Sequence, residues 1–179
     1  MTTLAINSLF DERFVILASV DAGGMGTVYK VQAQGSNDLF ALKVLNACLL
    51  EEQQDRARFK LEGKILSQLR HPNIVKFYGY SLLQEKIPYL VMEFVEGSSL
   101  RAMLTDQGHI SADDCLKLTI QICDALASVH QAGIVHRDIK PNNILITEPS
   151  QTVKLLDFGV ARVLDESSVT LSRQLTKTG

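Results

Sequence analysis

The stretch Ile134–Asn143, which reads Ile-Val-His-Arg-Asp-Ile-Lys-Pro-Asn-Asn, decides how the rest of the sequence is interpreted. A purely structural loop more often carries glycine, serine and a turn proline. Here Asp138 can accept a proton or orient a hydroxyl, Lys140 can neutralise a phosphate oxygen, and Asn143 can offer a hard oxygen to Mg²⁺. The alternative is a charged surface turn, and the triplet His-Arg-Asp alone would favour it. The lysine two residues after Asp138 and the asparagine five residues after it argue for a catalytic loop.

The composition fits one domain with a real core, since 46% of the 179 residues are hydrophobic. A net charge of −2 without any basic run argues against nucleic-acid binding. The three cysteines, Cys48, Cys115 and Cys123, form no metal-type pair and leave an odd count, which predicts a reduced, cytoplasmic environment. There is no signal peptide and no apolar run of ~18 residues, so we expect no membrane segment in this chain, although a longer protein could carry one elsewhere.

A glycine-rich turn, Asp21-Ala-Gly-Gly-Met-Gly26, joins two predicted strands, Phe14–Val20 and Thr27–Val31. A dinucleotide-binding turn would open a helix, and a Walker loop would continue with Gly-Lys-Ser/Thr, so neither interpretation holds. A hairpin whose glycines let backbone amides approach phosphates remains. The turn Gly35–Asp38 leads into a third strand, Leu39–Leu45, and short turns between strands predict an antiparallel meander.

Lys43 lies inside the apolar run Phe40–Leu45, and an unpaired buried ammonium is costly. It therefore predicts a carboxylate and a phosphate as partners. The candidate carboxylate is Glu62, on a helix predicted from about Leu50 to Arg70 by apolar residues at helical spacing. The alternatives are a solvated strand lysine and a solvated helix glutamate.

The remaining elements are predicted from strand composition, turns and helix caps. Two further strands bring the first part of the chain to five strands and one helix, and two helices and two strands follow. In chain order these are Ile74–Leu83, Pro88–Phe94, Ser98–Leu104, Ser111 to about Gln131, Asn143–Thr147 and Val153–Asp157.

These motifs, in this order, resemble the catalytic domain of eukaryotic-type serine/threonine protein kinases. The loop at His136–Asn143 resembles the catalytic loop, Ala41–Val44 the lysine strand, and Asp157–Gly159 the metal-binding segment. In this family the lysine at Lys140 is a sign of serine/threonine specificity, and the glycine-rich loop with Tyr29 resembles that of bacterial members. The resemblance covers about Arg13 to Gly179 and implies an α+β fold of two lobes, with a five-stranded antiparallel N-lobe and a mainly helical C-lobe.

The resemblance also implies how the chain is divided: lead-in 1–12, N-lobe 13–93, hinge 94–97, and a first part of the C-lobe at 98–179 that ends in the activation loop. A complete kinase domain is longer and contains Ala-Pro-Glu after this loop, so we expect 13–179 to be an incomplete domain.

The implied activity is phosphorylation of serine and threonine hydroxyls on protein substrates, with ATP and Mg²⁺. The alternative is a catalytically incompetent remnant that acts as a nucleotide-binding or interaction module. Asp21, which stands where the family has its first loop glycine, favours the alternative, as does the missing part of the domain. The intact set Lys43, Glu62, Asp138, Asn143 and Asp157 favours the enzyme.

The resemblance gives each of these residues a role. Asp138 would orient the substrate hydroxyl and take its proton, while Lys140 would steady the γ-phosphate. Lys43, held by Glu62, would bind the α- and β-phosphates, and Asn143 and Asp157 would hold Mg²⁺. The implied ATP contacts are Val20, Asp21, Ala22, Gly23, Gly24, Met25, Gly26, Thr27, Val28, Ala41, Lys43, Met92, Glu93, Val95 and Leu145.

Two further roles follow from the resemblance. His136 is expected to be a structural residue rather than a proton donor. Arg137 is a ready partner for a phosphate on the activation loop, with Thr176 and Thr178 as the expected acceptors. The alternative for these threonines is that they solvate a flexible end.

Overall fold

A computed structural model of the chain describes residues 4–23, 26–45, 64, 67–136, 138–157 and 162–163. Its first part is an antiparallel sheet in which six strands follow the order β1-β2-β3-β4-β6-β5. The strands are β1 Leu9–Phe10, β2 Phe14–Gly23, β3 Gly26–Ala33, β4 Leu39–Leu45, β5 Phe77–Leu83 and β6 Ile87–Glu93. The predicted antiparallel sheet is confirmed, but the predicted number of strands is one too low. Leu9 and Phe10, expected in the lead-in, pair with Val15 and Phe14.

Both faces of this sheet contribute to a hydrophobic core, and successive side chains on a strand point to opposite sides. On β6, Tyr89 and Val91 belong to an outer cluster, whereas Leu90 and Met92 belong to the core shared with the second part of the chain. The first turns of the chain are bonded to this outer cluster, since the Tyr89 hydroxyl donates to the Asp11 carboxylate. The outer cluster consists of Phe10, Phe14, Ile16, Tyr29, Val31, Leu42, Tyr89 and Val91.

The second part of the chain contains two α-helices, α1 Leu100–Gln107 and α2 Ala112–Gln131, and short strands. One small sheet has the order β10-β9-β7 and the other pairs β11 with β8. These strands are β7 Ser98–Ser99, β8 Ile134–Val135, β9 Ile144–Thr147, β10 Thr152–Leu155 and β11 Arg162–Val163.

One helix begins where its serine cap predicts, and the other begins later because strand pairing takes up its predicted first residues. The Ser111 hydroxyl accepts from the Asp114 amide at 3.1 Å, and α2 ends at Gln131, as predicted. The predicted helix start at Ser98 is wrong, because Ser98 and Ser99 pair with Ile146 and Leu145 of β9. Ser99 then caps α1 by accepting from the Ala102 amide.

The predicted strand Ile74–Leu83 also starts too early, since β5 begins at Phe77. Ile74 forms a parallel bridge with Leu155, and the Val75 amide donates to the Leu155 carbonyl at 3.0 Å. Buried Asn73 reinforces this junction by donating to the Val153 carbonyl at 2.9 Å. The segment before β5 is therefore joined to β10, and this junction holds the two parts of the chain together.

Helix α2 buries only part of its surface. Leu118, Ala125 and Val129 are buried, whereas Leu116 is 61% and Ile120 60% exposed. None of the helices in the described ranges is long and apolar enough to cross a membrane. Most of the helix predicted from Leu50 to Arg70 lies outside the described residues.

Candidate active site

A cleft of about 360 Å³ lies between the inner face of the large sheet and the loops of the second part. Its lining combines hydrophobic strand residues with charged and amide side chains. Eleven of the residues predicted to bind ATP or metal line this cleft: Val20, Asp21, Val28, Ala41, Lys43, Met92, Glu93, Val95, Asn143, Leu145 and Asp157.

Sequence reasoning missed five other lining residues. Val75 and Leu156 enter the cleft because the segment before β5 pairs with the end of β10, a contact without a local sequence signal. Ser99 enters through the β7–β9 pairing. Asn142 could have been found, since it precedes Asn143 in the motif. The five are Val75, Phe94, Ser99, Asn142 and Leu156.

A larger groove of about 470 Å³ lies on the outer face of the sheet. Aromatic side chains such as Phe40 and Tyr78 line it, and its charged residues are Glu12 and Arg13. It lacks the combination of lysine, carboxylates and amides that the cleft contains, so the cleft is the candidate active site.

Lys43 lies in the cleft, only 6% exposed, and its ammonium contacts the carboxylate of Asp157. Burial of this charge is tolerable because the carboxylate compensates it. Glu62, the partner predicted for Lys43, lies outside the described residues. Asp157 has a backbone φ of 57°, and the preceding residue is fixed by a bond from the Leu156 amide to the Asn143 carbonyl at 2.9 Å.

The Asp138 carboxylate is held by two donors. One of its oxygens accepts from Lys140 Nζ at 2.8 Å and from Asn143 Nδ2 at 2.9 Å. The bond from Lys140 is the main cause that lowers the pKa of Asp138, and in return it raises the pKa of Lys140. Asp138 is therefore an ionised acceptor at neutral pH. Asn143 Nδ2 also donates to the Asp138 carbonyl at 2.9 Å, which fixes the loop.

His136 is 1% exposed and connects this loop to the segment before Asp157. Its Nε2 donates to the Leu156 carbonyl at 2.8 Å, and its Nδ1 accepts from the Asp138 amide at 3.3 Å. Burial lowers the pKa of His136, so the ring is neutral at neutral pH, in agreement with one donor and one acceptor nitrogen. Both ring nitrogens form hydrogen bonds with backbone groups, so His136 positions the loop of Asp138 relative to Leu156.

Glu93, the residue before the predicted hinge 94–97, is fixed by three hydrogen bonds. Both oxygens of the Glu93 carboxylate accept from Lys154 Nζ, at 3.1 and 3.0 Å, and one also accepts from the Lys76 amide at 3.1 Å. Sequence reasoning missed Lys154, which lies 61 residues away. Gly97 is required because a Cβ there would lie 2.4 Å from the Ile146 carbonyl oxygen.

Strand pairing in the glycine-rich hairpin extends into the residues predicted as its turn, 21–26. Asp21 pairs with Val28, and Gly23 pairs with Gly26. Gly26 has a φ of 153°, and a Cβ there would lie 2.2 Å from the Val44 carbonyl oxygen. Gly26 can pack against β4 only because it has no side chain. Ala22, Gly23, Gly26 and Thr27, predicted as ATP contacts, are not among the residues that line the cleft.

Several predicted site residues lie outside the described residues, namely Gly24, Met25, Glu62, Arg137, Thr176 and Thr178. Within the described ranges, no cluster of three or more histidine, cysteine, aspartate or glutamate side chains could hold a metal. Asn143 and Asp157 together offer an amide and a carboxylate. This donor set fits Mg²⁺, which prefers few protein oxygens and completes its shell with water and phosphate.

Residues 14–178 of the chain match the protein kinase domain family. A probable serine/threonine-protein kinase of Streptomyces coelicolor is 39% identical over 160 residues, which are 88% of this chain and 24% of that protein. One of Clostridium perfringens is 35% identical over 164 residues, 92% of this chain and 24% of that protein. The chain thus spans about a quarter of the length of these curated relatives.

The fold is also similar to the crystal structure of the PknI kinase domain of Mycobacterium tuberculosis. The TM-score is 0.78 with 28% sequence identity, and the match covers 88% of this chain and 62% of that one. The two-lobe α+β fold predicted from the sequence is thereby confirmed.

Proposed function

The chain belongs to the protein kinase domain family, and we propose that the protein that contains it phosphorylates serine and threonine hydroxyls of other proteins, with ATP and Mg²⁺. The observation that carries the proposal is the convergence of Lys43, Asn143 and Asp157 on one cleft from three distant segments. The Asp138 carboxylate does not line the cleft itself, but it accepts a hydrogen bond from Asn143. The names of the relatives, all serine/threonine-protein kinases, agree with it.

The proposed role of Asp138 rests on its ionisation and position. Lys140 and Asn143 orient the carboxylate, and the lowered pKa keeps it available as an acceptor for the hydrogen bond of an incoming hydroxyl. A carboxylate with a low pKa is a weak base, so it orients the hydroxyl early and takes the proton late in the transfer.

The proposed role of Lys43 rests on its buried ammonium, which can neutralise phosphate oxygens in the cleft. Asn143 and Asp157 would hold Mg²⁺, which supplies charge neutralisation at the transferred phosphoryl group. The hydrophobic lining residues Val28, Ala41 and Leu145 offer an apolar slot for the adenine ring. Met92 closes the inner end of that slot.

Division of the chain and location are also proposals. We place the N-lobe at 13–93, the hinge at 94–97 and C-lobe residues at 98–179, with residues 4–12 packed on the N-lobe sheet. Cys115 and Cys123 are both exposed free thiols, which supports a reducing, cytoplasmic location for this domain.

The regulatory part of the proposal rests on the sequence. A phosphate on Thr176 or Thr178 would bind the Arg137 guanidinium next to Asp138 and increase activity. Mass spectrometry of the full-length protein after incubation with Mg-ATP should find phosphate on residues 169–179. Full activity of a Thr176→Ala, Thr178→Ala double variant would contradict this role.

The activity is tested with the full-length protein, radiolabelled ATP and a protein acceptor. We expect label on serine and threonine and a loss of about 10²–10⁴-fold in the Asp138→Asn variant, with nucleotide binding retained. Asp106→Asn, which removes an exposed carboxylate on α1, is the matched control and should retain full activity. Absence of transfer by the wild type with intact nucleotide binding would favour the non-catalytic alternative.

A further inference from the structure

We propose that Asp21 makes nucleotide binding depend on Mg²⁺, because its carboxylate repels an uncomplexed triphosphate in the cleft and tolerates the metal complex. The inference rests on the proposed function, since it concerns the same nucleotide site. It concerns a residue at which this chain departs from the glycine of the family pattern.

The position of Asp21 is unusual for a strand residue. Val20 and Asp21 are neighbours on β2, yet both line the cleft. Adjacent strand residues normally point to opposite faces of a sheet. The pairing of β2 with β3 has an irregularity between Ser19 and Asp21, and such a bulge redirects a side chain. The bulge therefore accounts for a carboxylate at the cleft.

The backbone does not explain the departure from glycine. Asp21 lies in the extended strand β2 and pairs with Val28, a conformation that any residue adopts. The consequence of aspartate here is therefore its charge.

The negative charge of Asp21 is not balanced by the other charged residues that line the cleft. Glu93 is bonded to Lys154, and Lys43 contacts Asp157, so these carboxylates each have a cation. Among the described residues, Asp21 has no cation within ion-pair distance. Its field nevertheless reaches the catalytic loop. The pKa of Lys140 is raised mainly by its bond to Asp138, with Asp21 among the smaller causes.

The negative charge of Asp21 should repel each nucleotide in proportion to the net negative charge of that nucleotide. Metal-free ATP carries about four negative charges at neutral pH and Mg²⁺ cancels two of them, whereas adenosine carries none. The repulsion should therefore be largest for metal-free ATP, smaller for Mg-ATP and absent for adenosine. Because Asp21 is exposed, salt should weaken the effect.

The test measures equilibrium binding of ATP, Mg-ATP and adenosine to the full-length protein by calorimetry, in EDTA or in excess Mg²⁺. We expect Asp21→Asn to bind metal-free ATP about tenfold more tightly than the wild type, with a smaller gain for Mg-ATP and none for adenosine. The gain should shrink when ionic strength rises from about 0.05 to about 0.5 M. Asp21→Glu keeps the charge and should retain the wild-type ratio between the affinities for Mg-ATP and metal-free ATP.

Glu85→Gln is the control for a general change in net charge. Glu85 is exposed in the β5–β6 turn, at the end of β6 opposite Glu93, and its neutralisation should leave all three affinities unchanged. Equal gains for adenosine and ATP in Asp21→Asn, or no gain for ATP, would overturn the inference and leave the proposed function intact. A wild type that binds neither adenosine nor Mg-ATP would overturn both.

Discussion

The ammonium of Lys43 on β4 contacts the carboxylate of Asp157, which lies 114 residues further along the chain. This contact crosses the cleft and joins the large sheet to the end of the β9–β10 hairpin. It places the cation that would bind phosphate next to the carboxylate that would bind Mg²⁺. The two groups neutralise each other within the cleft.

The first prediction concerns this pair. Lys43→Met should lower single-turnover phosphoryl transfer by about 10²–10³-fold even at saturating ATP, because the buried ammonium can no longer neutralise phosphate charge. Rapid-quench measurements on the full-length protein would test it. Lys86→Met, on the exposed β5–β6 turn, is the control, and a Lys43→Met rate within twofold of wild type would contradict the assignment.

The second prediction concerns the bonds that fix Glu93. Lys154→Met should weaken adenosine and ATP binding several-fold and leave kcat nearly unchanged, because the hinge loses its anchor while the catalytic loop is untouched. A double-mutant cycle with Glu93→Gln should give a coupling of about 1 kcal/mol in the free energy of unfolding, since the pair is charged and partly buried. Strict additivity of the two variants would refute the coupling.

The third prediction concerns His136 and pH. Burial lowers its pKa, so the unfolded chain takes up this proton more readily than the folded chain does. The stability contributed at His136 is therefore present above a pH of about 6.5 and is lost as the pH falls below it. The urea midpoint should fall less between about pH 7.5 and pH 5 in His136→Gln than in the wild type. His109→Gln, which changes an exposed histidine, should show the same fall in urea midpoint between these pH values as the wild type. An equal fall in urea midpoint for all three proteins would contradict the prediction.

The fourth prediction concerns helix α2. The 179-residue chain should bind bis-ANS through the exposed side chains of Leu116 and Ile120. A Leu116→Ser, Ile120→Ser double variant should bind less dye with little change in the free energy of unfolding. Leu118→Ala, at a buried position of the same helix, should instead cost about 2–4 kcal/mol. Equal destabilisation by both variants would show that the two faces of α2 are equally buried.

Sequence alone predicted the elements whose causes are local. Strand β4 has the predicted bounds, and α2 begins at its serine cap and ends at the predicted residue. The motif Ile134–Asn143 placed Asp138, Lys140 and Asn143 in one short loop, and the structure shows that Lys140 and Asn143 both donate to the Asp138 carboxylate. The roles predicted for these residues stay predictions. The order of the motifs predicted the family and the fold.

Only the tertiary structure decided the contacts between distant segments. The pairs Lys43–Asp157 and Glu93–Lys154, and the pairing of Ser98–Ser99 with β9, join segments whose separation along the chain carries no information about their distance in space. The bulge before Asp21 is likewise a feature of how β2 pairs with β3. Hydrophobic periodicity and helix caps reflect interactions over a few residues, whereas these contacts depend on how the buried faces pack. The charge balance of the cleft could therefore be read only from the tertiary structure.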